Sequence, residues 1–105
     1  MGHETYTHSP SRSGLILHIG GDLDAAHADN LVSAVADLDV SACDLVELDL
    51  LDVTFLDSTG LRGLLTARDW LQDRKVGFAV VAMSDPVRRV VEIAGLDEIL
   101  APNIG

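Results

Sequence analysis

The chain has 105 residues, and its 7 Lys and Arg stand against 17 Asp and Glu, a formal charge of 7 − 17 = −10 at neutral pH. Such a surface repels phosphate backbones and anionic headgroups, which sets aside nucleic-acid and membrane-surface roles. One cysteine (Cys43), 48% hydrophobic residues and no apolar run near the roughly 20 residues of a membrane span fit a single cytoplasmic domain without a disulfide framework or a cysteine-built zinc cluster.

Residues 1–13 (MGHETYTHSPSRS) read as a polar leader without a signal peptide's hydrophobic centre. Ser9-Pro10 marks a turn, and ETYTH leaves room for a short edge strand. The domain proper is expected over residues 14–105. GLILHIGG (14–21) is a strand bounded by glycines. Asp22 and Asp24 follow it, and Ala28, Leu31, Val35 and Leu38 then recur at helical spacing, with Asp24 as the expected N-cap.

DLVELDLLDVTFLD (44–57) begins with alternation and becomes nearly continuous apolar, the pattern of a central strand covered on both faces. After Ser58 the spacing turns helical again, with Leu61, Leu64, Leu65, Arg68 and Leu71 on one side. Arg74 and Lys75 fall where positive charge suits a helix C-terminus. VGFAVVA (76–82) is another buried strand. MSDPVRRVVEIAG supplies Asp85 as cap, Pro86 at the first helical position and Gly95 as the stop. LDEIL (96–100) is too short to assign.

Strand and helix alternate three times, which defines an α/β domain with at least part of its sheet parallel. In such sheets the loops leaving the C-terminal ends of the strands gather on one side. The turns at 20–24, 54–60 and 83–86 are therefore expected neighbours, two of them rich in Asp and Ser.

Those loops admit three chemistries. Asp22-x-Asp24 after a strand, with Ser58 after the next, matches part of the pattern of haloacid-dehalogenase-type phosphatases, in which one carboxylate attacks phosphate. The expected lysine and second acidic pair of that family are missing. A response-regulator receiver would use an acidic pair, a phosphoaccepting Asp after the central strand and Ser84 as the later hydroxyl, but no strand after Gly95 carries the lysine it requires. The third is a phosphoacceptor serine, Ser58, on a binding module. The plain reading of Asp57 or Ser58 is a helix N-cap. Capping does not explain Gly60 and Gly63 in the first turns, each costing roughly 1 kcal/mol relative to Ala. With Ala67 they form a small-residue stripe, suited to packing on the domain's own sheet or to contact with another protein.

His18 and His27 share no ligand spacing and read as ordinary histidines, with His3 and His8 in the leader. Trp70 and Phe78 read as core, Cys43 as a small buried or half-buried thiol, and Arg88-Arg89 as a solvated helix face, with contact to an acidic partner as the alternative.

The stretches GGDLDAAHADNL, DLVELDLLDVTFLDSTGLRGLL and VGFAVVAMSDPVRRVVEIAGLDEIL resemble the STAS domain, and within it the bacterial anti-sigma-factor antagonists, from about Leu15 to Leu100. The LDSTGL core after the strand is the most specific part. This resemblance implies a mixed β-sheet of about four to five strands covered by helices, and no enzymatic activity. It further implies a partner switch. An anti-sigma factor that is a serine kinase binds this domain, releases its sigma factor, and phosphorylates the domain, which lets go until a serine phosphatase restores it. By position Ser58 is the phosphoacceptor, and Asp22, Asp24, Asp57, Thr59, Gly60 and Leu61 lie in or beside the kinase contact. Thr59 places a second hydroxyl next to the site. No cofactor belongs to the domain, since ATP and Mg²⁺ belong to the kinase. A STAS module in another signalling complex is the alternative within the family.

Overall fold

The structure, a computed structural model, describes residues 5–95. Its elements run β1 (Thr5–Ser11), β2 (Gly14–Leu23), α1 (Ala28–Ala36), β3 (Leu45–Leu56), α2 (Ser58–Asp73), β4 (Gly77–Met83) and α3 (Asp85–Ala94). The four strands form one mixed sheet in the order β1-β2-β3-β4. β1 is antiparallel to β2, while β2, β3 and β4 are parallel, so α1 and α2 serve as the crossovers. Both crossovers step the same way across the sheet, and right-handed connection puts both helices on one face. There α1 and α2 also pack against each other.

One hydrophobic cluster joins every described helix to the sheet. It contains Leu17 and Ile19 of β2, Val46, Leu48 and Leu50 of β3, Val80 of β4, and Leu31, Val35, Leu64, Leu71, Val87 and Val91 from the helices. Each such side chain contributes roughly 1.5–3 kcal/mol on leaving water. No described helix is long and apolar enough to cross a membrane.

β3 departs from the expectation of a strand covered on both faces. Val46, Leu48 and Leu50 are buried, but Leu45, Glu47 and Asp49 between them are only half-buried, and Leu51 and Phe55 are 61% and 47% exposed. One face carries the core. The apolar run is long because the ladder is irregular. Register shifts fall between Leu48 and Asp49 against β4, and between His18/Gly20 and Gly21/Asp22 against β2. Each shift re-aims the residues that follow, which breaks the strict in-out alternation. Gly21, at φ 89°, sits at the second shift, in backbone space that side chains disfavour.

β1 occupies most of what the sequence reads as a leader. Thr5–Ser11 pairs residue for residue with Gly14–Gly20, and Ser9-Pro10 lies inside the strand rather than in a turn. An edge strand tolerates this, because polar side chains can face water and proline's missing N–H need not be paired on the outer side. Residues 96–100 lie outside the described residues.

The caps differ from expectation at two helices. α3 begins at Asp85 with Ser84 in the N-cap position, which moves Pro86 to the second helical residue. Gly95 ends the helix in the left-handed conformation (φ 71°), as its sequence position implies. At α1 the N-cap position falls to His27, without a side-chain cap hydrogen bond. Phe78 is buried, and Trp70 packs at the edge of the core beneath the Arg74 guanidinium, 3.6 Å above the ring.

Candidate functional site

Two strand ends build the site. β2 and β3 stay paired to their last residues, Asp22 opposite Phe55 and Leu23 opposite Leu56. The chain then leaves β3 through Asp57, whose backbone N–H donates to the Leu23 carbonyl at 3.2 Å. Asp57 is extended (φ −111°, ψ −176°) and its Oδ1 accepts from the Gly60 N–H at 2.8 Å. The cap of α2 is therefore Asp57, and Ser58 is the first helical residue, exposed, with its hydroxyl not consumed by capping. The plain reading of this stretch as a helix start holds for Asp57 and leaves Ser58 unexplained by it.

Gly60 is buried against the end of β2. A Cβ there would collide with the Leu23 carbonyl oxygen and approach Leu56 Cδ1 to 2.9 Å. The small-residue stripe of Gly60, Gly63 and Ala67 is buried throughout. It lets α2 lie close on its own domain, which decides between the two uses the sequence left open. Leu61, 7% exposed, is also core. Of the positions expected in or beside a partner contact, Gly60 and Leu61 therefore act by shaping the corner from within. Ser58 is exposed and Thr59 half-buried at its surface.

The acidic pair divides. Asp22 is the penultimate residue of β2, and its Oδ1 accepts from the Thr54 hydroxyl at 2.9 Å, tying the two strand ends together. Thr54 is the site residue that sequence reasoning passed over; its signal was a lone hydroxyl inside an otherwise apolar stretch. Asp24 Oδ1 accepts from the Ala26 N–H at 3.1 Å and lies 2.8 Å from His27 Nδ1. It caps a turn before α1 rather than α1 itself, because residues 25–27 form that turn and the helix starts only at Ala28. Asp22, Asp24 and Asp57 thus stand around one corner, the first two on one chain crossing and the third beside Ser58.

The third loop is elsewhere. β4 ends with Met83 opposite Leu50, and the Ser84 N–H donates to the Leu50 carbonyl at 3.2 Å. β3 continues six residues beyond that point, about 20 Å along the strand. The 83–86 loop therefore does not join the other two, and Ser84 stands away from the place a receiver would need it. Unequal strand lengths cause this, and no residue-type pattern signals it. Among the described residues no three His, Cys, Asp or Glu side chains are grouped to hold a metal ion.

Beside Ser58, Thr59 opens onto a groove of about 360 Å³ between α1 and α2, lined also by Asp29, Val32, Ser33, Arg62 and Thr66. His18, on β2, lies 2.9 Å from Asp49 Oδ2 on β3, outside this corner.

A strand end carrying an acid, an exposed serine at the first residue of a helix and a glycine pressed on the neighbouring strand make up this corner, and the chain belongs to the STAS domain family, whose profile matches residues 5–104. It is 30% identical over 84 residues to the anti-sigma-B factor antagonist of Listeria monocytogenes, spanning 80% of this chain and 74% of that one. To the anti-sigma-F factor antagonist RsfB of Mycobacterium tuberculosis it is 34% identical over 83 residues, spanning 79% of this chain and 67% of that one. The crystal structure of an anti-sigma factor antagonist from Mycobacterium paratuberculosis superposes with a TM-score of 0.80 at 26% identity, covering 97% of this chain and 88% of the other. The expected α/β fold with a mixed sheet is the fold observed, with four strands and three helices among the described residues.

Proposed function

We propose that this domain is an anti-sigma factor antagonist that binds an anti-sigma factor serine kinase through the Ser58 corner and is switched off by phosphorylation of Ser58. The observation that carries the reading is the division of labour between neighbours: Asp57 holds the helix cap and Ser58 presents an exposed hydroxyl. A phosphate there costs the fold no capping bond. The relatives named above are antagonists of anti-sigma factors, which supports the same class of partner here.

The proposed switch is electrostatic. A phosphoserine adds roughly −1.5 to −2 charges, and the first turn of a helix tolerates an anion through its free N–H groups and dipole. The domain stays folded, and the change falls on the interface. A dianion about 6 Å from a partner carboxylate is disfavoured by roughly 1 kcal/mol in bulk water and about 5 kcal/mol at an effective dielectric of 20. That corresponds to a loss of about ten-fold to several thousand-fold in affinity. Asp22, Asp24 and Asp57 set the corner negative beforehand. ATP and Mg²⁺ enter with the kinase, the domain contributes no catalytic group, and a serine phosphatase in the cytoplasm resets it.

The test is intact-mass analysis after incubation with ATP and an anti-sigma factor kinase encoded in the same genome, followed by site mapping. One added phosphate on Ser58, and none on Ser58→Ala, is the expected result. Label retained at the wild-type level by Ser58→Ala would move the site, with Thr59 the first residue to examine.

A further inference from the structure

Two arginines lie on α2 and a third, Arg74, caps its C-terminus; Arg68 and Arg74 are engaged. Arg68 Nη2 is 3.2 Å from Asp69 Oδ1. Arg74 donates to the Trp70 carbonyl at 3.0 Å and lies over the Trp70 ring. Arg62 differs. It is exposed, and among the described residues its guanidinium forms no salt bridge or hydrogen bond. It stands in the second turn of the helix, where the dipole gives a cation no support. Arg62 is therefore a cation that neither an ion pair nor helix capping accounts for, in a domain with formal charge −10.

Its position relative to Ser58 supplies a use. Arg62 is four residues beyond Ser58 on the same helix, a spacing that puts Cβ atoms about 5–6 Å apart on one face. Helical side chains lean toward the N-terminus, so a long residue covers the turn before its own Cα, here the turn of Ser58 and Thr59. Arg62 and Thr59 do line the same groove. A guanidinium fits a phosphate through paired N–H donors, more closely than an ammonium does. The charged side chain that lines this groove with Arg62 is Asp29, on α1, and no ion pair joins the two; Asp57, at the cap of α2, is spent on the Gly60 amide.

We infer that Arg62 is the intramolecular counter-ion of a phosphate on Ser58, so that phosphorylation both adds negative charge and withdraws this guanidinium from the groove a partner would meet. The inference rests on the reading of Ser58 as the phosphoacceptor. It assigns the phosphorylated state a second change, the loss of the one free cation that α2 offers to a partner's carboxylate.

Phosphoserine introduced at position 58 during synthesis, in the otherwise native chain, tests this without any kinase. The phosphate's second ionisation is followed by ³¹P NMR at low salt in the native background, in Arg62→Gln and in Arg89→Gln on α3. Arg62→Gln should bind the second proton roughly three-fold more tightly, a midpoint about half a pH unit higher, whereas Arg89→Gln should titrate as the native background does. Arg62→Lys should restore part of the shift, and 1 M salt should remove most of it, since the Debye length there is about 3 Å. An Arg62→Gln midpoint equal to the native one overturns the inference. Failure of an anti-sigma kinase to label Ser58 would instead overturn the functional reading, and the two results are independent.

Discussion

The Asp57 carboxylate and the Gly60 amide meet at 2.8 Å across the first turn of α2, and the same Gly60 leaves no room for a side chain against the Leu23 carbonyl. One pair of residues thus starts the helix, presses it onto the end of β2, and leaves Ser58 between them facing solvent.

Asp57→Ala should lower stability by about 1 kcal/mol, the usual worth of a side-chain N-cap, while Asp57→Asn should keep most of it. Urea unfolding with an unchanged m-value is the measurement. An Ala variant as stable as the native chain would show that the cap is not what holds this corner.

Gly60→Ala sets two effects against each other. Alanine favours the helix by roughly 1 kcal/mol, but its methyl group would overlap backbone, and forced repacking costs typically 1–3 kcal/mol or more. Overlap with the carbonyl of Leu23 cannot be relieved by a rotamer change, so steric cost should win and the variant should be less stable. Thermal unfolding decides this, and a stabilised variant would contradict the close approach.

Ser58→Glu should remain folded within about 0.5 kcal/mol of the native chain, because an anion at the first helical residue is worth roughly 0.3–1 kcal/mol in its favour. Binding to the anti-sigma factor should fall by ten-fold or more in the same variant. A collapse of the thermal transition would place the effect of charge in the fold rather than at the interface.

Lys75 has φ 62°, just beyond the Arg74 cap of α2, in the left-handed region that a side chain makes costly. Lys75→Gly should raise stability by up to about 1 kcal/mol, offset in part by the greater freedom of glycine in the unfolded chain. A higher urea midpoint is the expected outcome, and a lower one would mean the lysine side chain stabilises the cap.

The exposed Asp39 carboxylate accepts from the Ser41 hydroxyl at 2.7 Å and the Ser41 N–H at 3.2 Å, which hold its pKa below the ordinary 3.8. A depressed folded-state pKa contributes stability that is present above the unfolded value and is lost as pH falls through the folded one. Asp39→Asn should therefore melt slightly lower than the native chain above the ordinary carboxylate range, converge with it at acid pH, and so show a flatter acid limb. An acid limb identical to the native one would remove Asp39 from the proton linkage.

Much of the fold is written locally. Helical spacing at Leu31, Val35 and Leu38 and at Leu61, Leu64 and Leu71 marks faces that are in fact buried, and Gly95 does stop α3. These features depend on residues within one or two turns of each other, which is why the chain displays them. The acid, hydroxyl and glycine of Asp57–Gly60 are legible in the same way, since capping is a three-residue interaction.

What the linear order could not carry is distance between elements. Only the paired strands show that Asp22 is held by Thr54, that the Gly60 stripe is turned inward on Leu23, and that β4 stops at Met83 and leaves Ser84 far from Ser58. Even the β1 pairing needed the sheet, because a polar edge strand and a polar leader have the same composition. Local chemistry determined which residues could serve as cap, hydroxyl and small contact. Register, strand length and helix packing, all set by burial across long sequence separations, decided which of them share a surface.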